Sequence, residues 1–165
     1  IVHSNVDKCI EGQRWQWDGV DFEILSPTAS EDYQGNNSFC VLRVGNDQHS
    51  ILLAGDIEQF TESRLIRTLL DKLSTKILIA PHHGSKTSSS LAFIDAVSPE
   101  IVVFPVGYRN RFGFPKQDII SRYESRQVKI LNTAHDGALL FRFEDHEMIF
   151  SRYKHDNQRF WTSEY

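Results

Sequence analysis

Long hydrophobic runs are missing from this sequence. The apolar stretches 51–54, 76–80 and 101–106 are short and interrupted, and none approaches the roughly 20 residues that a membrane-spanning helix requires. The chain as given reads as soluble. A basic excess is missing too, since 18 Lys and Arg stand against 22 Asp and Glu for a formal charge of −4. That balance gives no general attraction to phosphate backbones, so any nucleic acid must be held by a local site or by a metal. Cysteine is scarce. Cys9 and Cys40 match no zinc spacing and read as two buried thiols, with one bridge and an oxidising compartment as the alternative. The start, Ile1-Val2-His3-Ser4-Asn5, has no basic region, no apolar region and no initiator Met. No signal peptide is visible in it, and the chain reads as a fragment of something longer.

What is present suffices for one core, because 40% of the 165 residues are hydrophobic and 12% aromatic. Aromatic and polar residues alternate through 14–25 around Asp18-Gly19, a strong hairpin signal. A second hairpin is predicted from 38–44 and 49–54, joined by Gly45-Asn46-Asp47. At Asp56 the apolar period changes: Phe60, Leu65, Ile66, Leu69, Leu70 and Leu73 follow helical spacing over 57–73. Strands are then expected at 76–80, 100–106 and 128–132, helices at 90–97 and 115–126, and a closing hairpin from 137–143 and 147–153. This order predicts a mixed α/β sheet with helices packed outside it. Residues 1–153 read as part of one domain and 154–165 as a polar tail.

Chemistry concentrates after two predicted strands. Gly55-Asp56 closes one and Pro81-His82-His83-Gly84-Ser85 the other, and strand ends are where sheets present reactive groups. A carboxylate and imidazoles on one rim suit a divalent metal. Asp56 alone would read as a helix cap. The His-His-Gly-Ser run beside it tips the balance to a site, with one of the two imidazoles binding metal directly. Asn37 and Ser38, in Gly35-Asn36-Asn37-Ser38, offer groups suited to orienting a phosphate or water, and serve equally as a turn. Ser85 and Lys86 begin a hydroxyl-rich run, 85–90, into a helix N-terminus, which fits anion binding or plain serine capping. Tyr108 and Arg109 lie in a loop, 107–115, of two arginines and three aromatics; such groups stack on unpaired bases and pair with phosphate, but a packed loop covering the sheet edge is slightly favoured. His135 reads as part of a tight turn.

Taken together, Asn-Asn-Ser at 36–38, Leu-Leu-Ala-Gly-Asp at 52–56, Ala-Pro-His-His-Gly-Ser-Lys-Thr-Ser-Ser-Ser at 80–90, Val-Gly-Tyr-Arg-Asn-Arg-Phe-Gly-Phe-Pro at 106–115 and Asp-Gly-Ala at 136–138 resemble the metallo-β-lactamase-like domain of ComEC competence proteins. Cys9, Gly12 and the run 15–20, with Phe22, Leu25 and Pro27, resemble the proteobacterial branch. The resemblance implies a four-layered αββα sandwich, of which this chain holds mainly the C-terminal half. It implies two divalent ions, zinc or manganese, on one rim of the complete domain. Asp56 then matches the bridging carboxylate, His82 the last histidine ligand and His83 a phosphate contact or proton donor, with the exchange of the two histidines left open. The family's upstream His/Asp motif lies before everything present here, so half a binuclear site is expected, and the chain alone is expected to be inactive and without metal.

The function implied is metal-dependent hydrolysis of single-stranded DNA by the soluble, periplasmic-side domain of an inner-membrane uptake channel. The partners are then DNA and the remainder of the channel protein, and strand edges exposed in the fragment could pair two copies. Two other readings compete. One is a small-molecule phosphodiesterase of the same fold; the other is a non-catalytic module that guides single-stranded DNA, supported by the loop 107–115.

Overall fold

The structure, a computed structural model, describes residues 8–30, 35–46, 48–144 and 147–157. Asp18 and Gly19 both take positive φ, 51° and 77°, the left-handed pair that lets a two-residue turn follow strand twist. They join β1 (Arg14–Trp17) to β2 (Val20–Ser26), and Val41–Gly45 and Ser50–Leu53 form β3 and β4 as the second hairpin. From there each strand is followed by a helix. The order is α1 (Gln59–Leu73), β5 (Ile77–Ile79), α2 (Leu91–Val97), β6 (Ile101–Phe104), α3 (Gln117–Glu124) and β7 (Lys129–Asn132). A short helical turn, α4 (Thr133–Asp136), precedes the hairpin of β8 (Leu139–Glu144) and β9 (Glu147–Arg152), and α5 (Tyr153–Asp156) ends the described chain.

β1 to β7 make one sheet in chain order, and β8–β9 make a second, two-stranded sheet. Pairing is antiparallel from β1 to β4 and parallel from β4 to β7. The mixed sheet with helices outside it is therefore as the pattern predicts. Alternation along the parallel strands separates two cores. Leu52, Leu78 and Val102 stand in register and face the helices, among Leu65, Leu73, Phe93, Ile94, Val97, Ile119 and Tyr123. Ile77, Ile101, Val103 and Leu131 point the other way, onto Leu139, Phe141, Phe143, Met148 and Phe150 of the closing hairpin. The order of layers is helices, large sheet, small sheet. A fully buried leucine such as Leu52 or Leu78 contributes roughly 2 kcal/mol.

Several local expectations are replaced by more specific geometry. Cys9 and Cys40 are bridged, with Cα atoms 5.9 Å apart. The thiol reading fails because the pairing of β2 with β3 brings together two residues far apart in sequence. The bridge ties the segment before β1 to the turn at Gly35–Ser38. Closing a loop of sequence separation 31 should stabilise by about 3–4 kcal/mol. Denaturation with and without a thiol reductant should show a loss of that size, and coincident curves would mean the bridge constrains nothing. α3 begins two residues after Pro115, and Lys154 to Asp156, placed in the tail by the sequence pattern, belong to α5. Residues 158–165 of that tail lie outside the described residues.

Candidate active site

Parallel pairing of β4, β5, β6 and β7 places their carboxyl ends on one rim. That rim collects Asp56 after β4, His82 and His83 after β5, the loop 107–115 after β6 and α4 after β7. The ends of β4 and β5 lie together because Leu53 pairs with Ile79, and the His82 N–H donates to the Gly55 carbonyl at 3.0 Å.

The turn Pro81–Gly84 holds two consecutive histidines at positive φ, 47° and 52°. Non-glycine residues there cost free energy, and two in a row persist only where the surroundings impose them. Gly84 follows at φ +84°, where a Cβ would fall 2.6 Å from Pro115 Cβ and 2.7 Å from Phe104 Cε1. Glycine is required there by both conformation and space.

This backbone aims the two imidazoles apart. His83 Nδ1 lies 2.9 Å from the Pro105 carbonyl, and its Nε2 lies 3.3 Å from Asp56 Oδ1. A carbonyl only accepts, so Nδ1 carries the hydrogen, and in the neutral form of the ring it is the Nε2 lone pair that turns toward the carboxylate. Two acceptors facing each other call for a proton or a cation between them. Donors about 2.0–2.1 Å from one tetrahedral ion would sit about 3.3 Å apart, so Asp56 and His83 fit two ligands of one zinc-like ion. The anchored Nδ1 is the support that metal-bound histidines usually have. His82 turns elsewhere. Its Nδ1 lies 3.3 Å from both Glu58 Oε1 and Thr87 Oγ1, and its ring meets Phe114 edge-on at 5.8 Å. Among the described residues no three His, Cys, Asp or Glu side chains gather as one metal-binding group.

Asp56 does not cap α1. That helix begins after Glu58, and Asn37 does the capping instead, its Oδ1 accepting from the N–H groups of Glu58 and Thr61 at 3.2 and 3.3 Å. Asn37 Oδ1 is thus directed at a helix start rather than at solvent, and Ser38 closes the same short turn. Ser85 is buried with its hydroxyl 3.2 Å from that of Thr87, while Lys86 is exposed, 3.6 Å from Asp118. The serine run caps and anchors. Ser90 Oγ accepts from the Phe93 N–H, and the Glu62 carboxylate, not an outside anion, receives the N–H groups of Ser89 and Ser90. Burial raises the Glu62 carboxyl above the ordinary carboxylate range, opposed by those donors.

In the loop 107–115 the packed reading gives way. Tyr108 is 59% exposed and Phe112 57%, because the chain folds back on itself through Asn110, whose side chain binds both the N–H and the carbonyl of Phe114. Only Phe114 reaches the core. Arg109 lies 5.1 Å over the Tyr108 ring and Arg111 4.8 Å over Phe112. His135 sits exposed in α4. The residue that the motifs did not single out is Glu58, although its spacing of two from Asp56 could have marked it.

No family model matches the chain. Individual proteins do. It is 41% identical over 133 residues to competence protein ComA of Neisseria gonorrhoeae, covering 81% of this chain and 19% of that protein. It is 34% identical over 135 residues to recombination protein 2 of Haemophilus influenzae, covering 82% and 17%. With ComE operon protein 3 of Bacillus subtilis it shares 27% over 148 residues, covering 90% and 19%. The chain thus spans about a fifth of the length of these relatives. Among its described residues no helix is long and apolar enough to cross a membrane.

Proposed function

We propose that this chain is the C-terminal part of the metallo-β-lactamase-like domain of a ComEC-type DNA-uptake protein, and that its rim is half of a metal-dependent phosphodiesterase site. The observation that carries this reading is the Asp56–His83 pair, 3.3 Å apart with the far side of the imidazole anchored, on adjacent parallel strand ends. Three of the four layers of an αββα sandwich have counterparts here in the helices, the large sheet and the small sheet. The competence relatives supply the biological setting.

Asp56 and His83 would hold the metal in this scheme, rather than Asp56 and His82, because the His83 ring is the one turned to the carboxylate. A bound divalent ion would supply Lewis acidity and activate a water for attack on phosphorus. His82 keeps Nε2 available at the rim for a phosphate oxygen or proton transfer. Tyr108 and Arg109, with Phe112 and Arg111, offer exposed rings and cations for the bases and phosphates of a single strand. The Cys9–Cys40 bridge suits an oxidising compartment such as the periplasm.

The test compares two chains: the 165 residues alone, and the same chain extended upstream through the missing His/Asp ligands. With added zinc or manganese, the extended chain is expected to cleave single-stranded DNA and the shorter one to show little or no cleavage. Equal activity in both, or activity surviving Asp56→Ala, would overturn the assignment. Cleavage of choline phosphate esters without cleavage of DNA would mark a small-molecule phosphodiesterase. Strand binding without any cleavage would mark a guiding module.

A further inference from the structure

Glu58 stands two residues from Asp56, and the phosphodiesterase reading gives it no role. Its Oε1 accepts from the Thr87 hydroxyl at 2.8 Å and lies 3.3 Å from His82 Nδ1, with the Asn36 amide at 3.5 Å. Thr87 has one hydroxyl proton, and at 2.8 Å the carboxylate takes it. The Thr87 oxygen, 3.3 Å from His82 Nδ1, therefore faces the ring as an acceptor. Both neighbours of Nδ1 are acceptors. The hydrogen of neutral His82 belongs on Nδ1, and Nε2, which makes no hydrogen bond among the described residues, keeps its lone pair.

The backbone holds Glu58 and Thr87 to this task. Asn37 Oδ1 fixes the Glu58 N–H, and the Gln59 N–H donates to the Thr87 carbonyl at 3.0 Å, joining the start of α1 to the loop after the histidines. Two carboxylate–imidazole pairs thus lie side by side on the rim with opposite polarity. Asp56 faces His83 through Nε2, whereas Glu58 faces His82 through Nδ1.

We infer that Glu58, assisted by Thr87, is a positioning residue that fixes the Nδ1–H tautomer of His82 and so turns an unprotonated Nε2 toward whatever occupies the rim. The use made of that nitrogen rests on the phosphodiesterase reading; the tautomer does not. Such an outer carboxylate orders a reactive imidazole by hydrogen bonding rather than by touching substrate.

Nitrogen-15 NMR of the imidazoles in the 165-residue chain reads the tautomer directly, at about pH 8.5, roughly two units above the pKa of a free imidazole. His82 is expected to be mainly Nδ1–H. In Glu58→Ala the ratio should shift toward Nε2–H by about tenfold, the effect of losing one hydrogen bond to a charged acceptor. Thr87→Val should shift it the same way by less, while His83, held by Pro105, stays unchanged. A wild-type His82 already protonated at Nε2, or a ratio unaltered in a folded Glu58→Ala chain, would overturn the inference. Because the wild-type spectrum alone decides the first point, a variant that fails to fold leaves the test intact. Expected tautomers in a chain whose extended form cuts nothing would instead retire the phosphodiesterase reading and leave this one standing.

Discussion

Replacing Asp56 with asparagine in the upstream-extended chain is expected to remove hydrolysis, weaken metal affinity and leave the fold intact. The change keeps the shape and removes the charge that would offset the ion. Asp56 caps no helix and lies at the end of β4 in partial contact with solvent, so no core packing is lost. Changes in the groups behind a metal ligand typically cost 10–100-fold, and loss of the ligand's own charge should exceed that. His83→Ala should likewise lose metal, since Nε2 of that ring is the partner of the carboxylate. His82→Ala should keep the metal and slow the reaction. Elemental analysis, circular dichroism and a nuclease assay on the same preparations separate these outcomes. Full activity in Asp56→Asn would leave the residue without a chemical role, and metal lost from His82→Ala but kept in His83→Ala would exchange the two histidines.

Gly84→Ala should be the most damaging small substitution described. A Cβ there meets Pro115 and Phe104 at 2.6 and 2.7 Å, neither of them the far end of a flexible side chain, and φ is +84°. Left-handed strain costs roughly 1–2 kcal/mol and overpacking typically another 1–3. A total of about 3 kcal/mol is a large part of the 5–15 typical of a domain, and in a chain of this size corresponds to a fall of about 10 °C in Tm. Thermal unfolding measures it. The strain should also reach His83, so the variant is expected to bind metal less well even where it stays folded. A Tm within about 2 °C of the parent would show that the turn relaxes at little cost.

Periodicity and turn chemistry made the strands, the three longer helices and their order legible in the sequence, because alternation through Leu52, Leu78 and Val102 or the Asp18-Gly19 turn follows directly from side-chain size and backbone preference. The convergence of Asp56 with the histidines on one rim was legible for the same reason, since each follows a buried strand. Which histidine faces Asp56 was not. It depends on two left-handed residues in succession, imposed by the fit of Gly84 against Pro115 and Phe104, and no local preference of histidine announces that. The Cys9–Cys40 bridge and the capping of α1 by Asn37 were hidden for a related cause: both join segments more than twenty residues apart. Exposure of Tyr108 and Phe112 was misread because aromatic composition alone favours burial, whereas Asn110 closes the loop on itself.

The strand order of the large sheet has a consequence for how the chain assembles. Every neighbour from β1 to β7 is also the next strand in sequence, so no pairing waits for a distant strand, and each step closes a turn, the segment 27–40 or a connection carrying one of the three longer helices. Sheets built this way avoid the large loop-closure entropy that slows folds with interleaved strands. Growth can run from β1 toward β7 as residues become available, each new parallel strand arriving with the helix that covers it. The face that β8–β9 covers, Ile77, Ile101, Val103 and Leu131, is complete only when β7 is in place, so the hairpin has its full docking surface only at that stage. Emergence from the ribosome and growth of the sheet then proceed in the same direction.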